Sequence, residues 1–183
     1  MKKRSNDVVL VSLFAALTAV GAFLKIPIPH VPLTMQTLMV MFAGLVLGSR
    51  LGALSQFLYL VTGLLGLPIF AQGGGPGYVM QPSFGFLIGF IAGAYVIGKI
   101  TEGKEEIGLS RLLAALILGQ LAIYVFGITY LFINLNHILK KPASFFTVMK
   151  IGFLFFLPGD ILKTLLAITV LAPIRRRISL FIR

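Results

Sequence analysis

The chain has 183 residues, of which 58% are hydrophobic and 11% charged, with 16 Lys and Arg against 5 Asp and Glu. A soluble domain is about 45–50% apolar and about 25% charged, so a chain with a mean hydropathy of +1.01 cannot cover itself in water, and a soluble globular enzyme is nearly excluded. The net charge of +11 and the lack of Cys narrow the field further: the bases lie between long apolar runs, as topology signals do, rather than in a nucleic-acid patch, and cysteine chemistry is absent.

A bilayer span takes about 20 apolar residues, so the length allows about six spans with short loops and no separate catalytic domain. The expected fold is one all-α integral membrane domain over residues 1–183. Met1-Lys2-Lys3-Arg4 and the apolar run behind it resemble a signal peptide, but the run reaches Ile26 without an Ala-x-Ala cleavage pattern. It reads as a retained first span, about 7–26. Pro27, Pro29 and Pro32 end that helix, because they lack backbone donors and push their neighbours to extended geometry. A short second segment covers about 33–48 and a third about 51–67. Residues 68–82 contain Gly73-Gly74-Gly75-Pro76-Gly77, which excludes regular helix. The remaining segments cover about 83–99, 111–134 and 145–171.

The positive-inside rule orients this chain. With the N-terminus inside, the inner set is Lys2, Lys3, Arg4, Arg50, Lys99, Lys104, Arg111, Arg175, Arg176, Arg177 and Arg183, eleven in all. The outer set is Lys25, Lys140, Lys141 and Lys150, four in all. Both termini are therefore expected in the cytoplasm of a cell-membrane protein. The loops 27–32, 68–82 and 134–142 then share the outer side. Irregular backbone near membrane depth survives only where it is buried or lines a cavity. With Ile69, Phe70, Tyr78, Val79 and Met80 in it, the 68–82 loop is expected to fold over the helices as a lid.

Small residues recur at four-residue spacing at Ala15 and Ala19, at Gly44, Gly48 and Gly52, and at Gly85, Gly89 and Gly93. Such spacing lets helix backbones approach closely in lipid. The glycine series read as internal packing, while Ala15 and Ala19 fit either internal packing or a partner-facing patch. Among the acids, Glu102, Glu105 and Glu106 share an inner loop and Asp7 opens a helix, which leaves Asp160 alone inside an apolar segment. Lys163 follows it by three residues and so projects from the same helix face. An embedded charge costs about 2.5–3.5 kcal/mol on insertion scales and marks a ligand or ion path. Pro158-Gly159 just before it argues for a helix break that exposes free amide donors.

Enzyme readings fail on residue types. An aspartyl intramembrane protease needs two embedded carboxylates. Gly93–Lys99 approaches a P-loop, but Ile100 replaces the Ser/Thr that such a loop requires. His30 and His137 have no acid near them in sequence and read as solvated loop residues, so no metal or other cofactor is expected.

Taken in order along the chain, Ile28-Pro29-His30-Val31-Pro32-Leu33-Thr34-Met35-Gln36-Thr37, Leu58-Tyr59-Leu60, Gly63–Ala71, Gly74-Gly75, Gln81–Phe86 with Gly89-Phe90, and Pro158-Gly159-Asp160 with Lys163 resemble the BioY family, the substrate-binding S components of biotin ECF transporters. One stretch departs mildly, Pro82-Ser83-Phe84-Gly85-Phe86 standing where the family commonly reads Pro-Thr-Gly-Gly/Tyr. The resemblance implies a six-helix biotin-binding subunit that works with a membrane T component and two cytoplasmic ATPases. It implies that Ala15 and Ala19 face the T component. It also implies one biotin bound near the outer side, with Asp160 accepting from the ureido N–H groups and Lys163 donating to the ureido carbonyl. Gln36, Gln81 and the amides of Gly74 and Gly75 complete the polar set, and Phe70, Tyr78 and Met80 close over the apolar part. Lys163, the Gly74–Gly75 amides and solvent each remain open as the carboxylate's partner. Rival readings are an S component for riboflavin or thiamine, and a scaffold or small channel in which Asp160–Lys163 is structural.

Overall fold

In lipid a backbone N–H has no water to bond, so apolar runs fold as helices and irregular segments collect where other protein covers them. A computed structural model describes residues 2–103 and 107–178, with side chains from Ser5 to Val170. Lys104, Glu105, Glu106 and Arg183 of the charge count lie outside the described residues. The helices are α1 (Lys2–Phe23), α2 (Gln36–Leu64), α3 (Phe84–Thr101), α4 (Leu109–Ile133), α5 (Phe145–Met149) and α6 (Leu157–Ile178). Among the described residues, five helical stretches are long and apolar enough to cross a membrane.

The Pro-rich segment after α1 forms a small hairpin. Strands β1 (Lys25–Ile26) and β2 (Leu33–Thr34) pair antiparallel, with Lys25 opposite Thr34 and Ile26 opposite Leu33. The Met35 amide returns to α1 by donating to Gly21 O at 3.0 Å. A Cβ on Gly21 would stand 3.0 Å from the Gln36 nitrogen, which explains the glycine at this crossing.

Within α2, Gly48 has φ 78 and ψ −173, a conformation open essentially only to glycine. In a straight helix Gln36 and Tyr59 would be about 35 Å apart at 1.5 Å per residue. Gln36 Nε2 instead donates to the Tyr59 hydroxyl at 2.8 Å. The chain therefore doubles back at Gly48 into two antiparallel limbs, 36–47 and 49–64. Glycines at the seams allow the fit: a Cβ on Gly52 would lie 3.0 Å from Ala43 O, and one on Gly44 2.8 Å from Ala94 O. Gly85, Gly89 and Gly93 line the α3–α4 seam in the same way, with Tyr130 and Ile123 filling the space.

Glu102 closes the Gly48 end of this arrangement. Its Oε2 accepts from the Ser49 amide at 3.1 Å and the Ser49 hydroxyl at 2.6 Å, capping the second limb where it restarts after Gly48. These bonds hold the Glu102 carboxyl below its ordinary pKa of 4.5.

Ala15 is buried in the main core with Val40, Leu60, Phe90 and Ile123, and Ala19 packs against the same core. Ala15 therefore packs inside the chain, the first of the two readings its spacing allowed. The close approach serves α1–α2 packing, and the outward face of α1 carries Val9, Leu13, Ala16 and Val20.

Residues 65–83 cover one end of the bundle. Phe70 is 1% and Tyr78 4% exposed, so these aromatics point inward, while Met80 is 60% exposed. The segment is not wholly irregular: Pro76–Met80 forms a 3-10 turn, with Pro at a first-turn position that needs no donor. Beyond α4 the helix widens into a π turn at Asn134–Ile138, and a second π turn at Lys150–Leu154 follows α5.

Candidate ligand site

α6 starts at Leu157 with Pro158 in second place, and Asp160 lies in its first turn, its amide donating to Phe156 O at 2.9 Å. Asp160 is 5% and Lys163 4% exposed. Burying either charge alone would be costly, and the pair survives because each charge is neutralised by the other and hydrogen-bonded to further polar groups. Lys163 Nζ donates to Asp160 Oδ1 at 3.0 Å and to Thr37 Oγ1 at 2.9 Å. Asp160 Oδ2 accepts from Gln120 Nε2 at 3.0 Å and from the Tyr124 hydroxyl. The cluster thus ties α6 to α4 and to the first limb of α2. Gln120 Oε1 is buried beside it without a hydrogen-bond partner, an acceptor left open.

Next to Lys163 lies a cavity of about 40 Å³. Its polar wall is Thr34, Gln36, Thr37, Tyr78, Ser83 and Lys163, and its apolar wall is Val31, Pro32, Ala71, Phe86, Leu87, Phe90 and Phe156. Asp160 stands behind Lys163 rather than on the wall. Hairpin, lid and three helices therefore meet at one chamber with a polar and an apolar side, the usual make-up of a small-molecule site.

The polar side is pre-set by short-range bonds. Gln36 Oε1 accepts from Thr34 Oγ1 at 2.9 Å while its amide reaches Tyr59, and the Tyr59 hydroxyl donates to Ile69 O at 3.0 Å. Tyr78 and Ser83 share a hydrogen bond at 3.2 Å. Burial pushes the Tyr78 phenol above its ordinary pKa of 10.0, so it stays protonated and can donate.

The lid is held from several sides. Phe70 meets Tyr78 at 4.5 Å and Tyr59 at 5.3 Å between ring centroids. Its ring fills the space over Gly63, where a Cβ would lie 2.1 Å away. The Gly75 amide donates to Gly63 O at 2.7 Å, and a Cβ on Gly74 would strike Leu67 O. Those two glycines thus seat the lid on α2. The Tyr130 hydroxyl of α4 donates to Val79 O, and Asn134 Nδ2 of the π turn that follows donates to Met80 O at 2.8 Å. Lys25 Nζ donates to Ala71 O and joins hairpin to lid.

Of the residues singled out from sequence, Lys163, Gln36 and Tyr78 line the cavity, with Asp160 directly behind. Phe70, Gly74 and Gly75 shape the lid, while Gln81 and Met80 are not on the wall. Sequence reasoning missed Gln120, Tyr124 and Thr37 as parts of the charge cluster. Gln120 was the one legible signal, as a lone amide in the middle of a long apolar run.

The BioY family model matches residues 1–180. The "Probable biotin transporter BioY" of Lysinibacillus sphaericus is 46% identical over 84% of this chain and 79% of its own length. The "Biotin transporter BioY" of Thermotoga maritima is 33% identical over 93% and 96% of the two chains. A crystal structure of the S-component for biotin from an ECF-type ABC transporter superposes with a TM-score of 0.79 at 24% identity, covering 100% of this chain and 98% of that one. The last likeness speaks for the fold.

Proposed function

This chain belongs to the BioY family, and from that premise we propose that it is the membrane subunit that captures biotin for uptake by an ECF-type transporter. The observation that carries the reading is Lys163: a buried ammonium on the wall of a chamber roofed by the lid, neutralised from behind by Asp160.

The hydrogen-bond inventory suits a ureido ring. An ammonium has three donors, and Lys163 spends two of them on Asp160 and Thr37, which leaves one for the ureido carbonyl. Asp160 offers about four lone-pair sites and three are engaged. The fourth, or Gln120 Oε1, accepts a ureido N–H. Gln36 and Tyr78 supply further polar contacts, and Phe86, Phe90 and Phe156 face the thiophane and the chain. The role of Asp160 is to fix and neutralise Lys163 as much as to touch ligand.

A chamber of about 40 Å³ holds a few waters, whereas ligand pockets run to roughly 300–1,000 Å³. Biotin therefore enters with an outward movement of hairpin and lid, which gives up buried aromatic contacts of Phe70 and Tyr78 as well as hydrogen bonds to the bundle. Counting the two antiparallel limbs of α2 as separate spans brings the total to six. Eleven bases against four and an even number of spans support a topology with both termini in the cytoplasm. The family resemblance implies a membrane T component and two cytoplasmic ATPases as the source of energy.

Calorimetry of the full chain in detergent with biotin, riboflavin and thiamine tests the proposal. Tight binding of biotin alone is expected. Binding of another vitamin in its place, or of none, would overturn it.

A further inference from the structure

Biotin carries a carboxylate at the far end from its ureido ring, and resting on the reading above we propose that Lys25 is the residue that binds it. Among the described residues, two cations hydrogen-bond to residues lining the cavity: Lys163 to Thr37 and Lys25 to Ala71. Lys163 is already neutralised by Asp160 at 3.0 Å, so the pair brings no net charge to an anionic ligand. Lys25 makes no ion pair among the described residues, and its recorded partner is the neutral carbonyl of Ala71.

The position fits from two sides. Lys25 is the cross-strand partner of Thr34, which lines the cavity, and its ammonium reaches Ala71, which lines it from the lid. It is exposed, so it sits at the rim, on the hairpin side of the chamber. A ligand whose ring meets Lys163 directs its valeryl chain past Phe86 and Phe90 toward this rim. There Lys25 exchanges a neutral carbonyl for a carboxylate, an acceptor about twice as strong. The flexible four-carbon stem of lysine allows the swing without backbone movement. The exchange also releases one tie between hairpin and lid and replaces it by a bridge through the ligand.

The test uses the full chain in detergent and compares biotin with biotinamide, the neutral analogue. The wild type is expected to prefer biotin by about tenfold, the scale of one charge-assisted contact at a wet rim. Lys25→Gln should erase that preference by weakening biotin about tenfold while moving biotinamide less than about twofold, and Lys25→Arg should restore it. The biotin advantage should shrink with added salt, as a rim contact does. An unchanged biotin affinity in Lys25→Gln would overturn the inference. So would an equal loss for both ligands, which marks a mere tie to Ala71, or a wild type that does not discriminate. A wild type that binds neither ligand refutes the biotin reading itself.

Discussion

Lys163 holds its place because Thr37 accepts from its ammonium while Gln120 and Tyr124, both on α4, donate to its counter-ion Asp160, and that arrangement makes the cluster sensitive one atom at a time. Lys163→Ala removes the donor facing the cavity, and Asp160→Asn removes the charge that fixes it. Each is expected to weaken biotin binding by about ten- to a hundredfold, the worth of one hydrogen bond to a charged group. Calorimetry on the purified variants would read it, and unchanged affinity in both would remove these residues from the site. Tyr124→Phe leaves Asp160 Oδ2 with Gln120 alone. The expected result is a loss of stability of about 1–3 kcal/mol, seen as a lower Tm, with a smaller effect on affinity than Lys163→Ala. The sequence pointed to Asp160 and Lys163 because charges in apolar runs stand out. It could not point to Thr37 or Tyr124, whose side chains are ordinary in a membrane helix until folding brings them across from α6.

The doubled-back α2 is the element that sets the shape of the bundle, and its turn depends on Gly48. Gly48→Val forces a β-branched residue to φ 78, which costs about 1–3 kcal/mol. A markedly lower Tm is expected, and a Tm within a degree of wild type would show that the turn tolerates side chains. Glu102 restrains the same turn by accepting from Ser49. Because these bonds lower its folded pKa, its contribution is present above the ordinary value of 4.5 and fades as pH falls through the folded value. Melting curves of wild type and Glu102→Gln should thus be separated at pH 7 and draw together as pH falls below 4.5. A gap that does not narrow with falling pH would deny the carboxylate this role. Proline and glycine marked the breaks at 27–32 and 68–82 in the sequence. The small-residue spacing around Gly44, Gly48 and Gly52 signalled close approach, but not that Gly48 itself reverses the chain within a few residues.

For the molecule as a whole, the absence of Cys makes orientation directly measurable. A single cysteine at His137, which is exposed, is expected to react with a membrane-impermeant maleimide on intact cells. One at Ser5 should react only after permeabilisation. The reverse pattern would invert the topology drawn from the charge count. That the chain belongs in a membrane, where its helices break, and which two charges pair inside an apolar segment were legible in its residues, since hydropathy, proline and an embedded ion pair are local properties that need no partner to be seen. The inward turn of Ala15, the doubling of α2 at Gly48, the caging of Asp160 from α4 and the reach of Lys25 across to the lid were decided by the tertiary structure. Each depends on which helix faces which, and that is settled by packing between segments far apart in the chain.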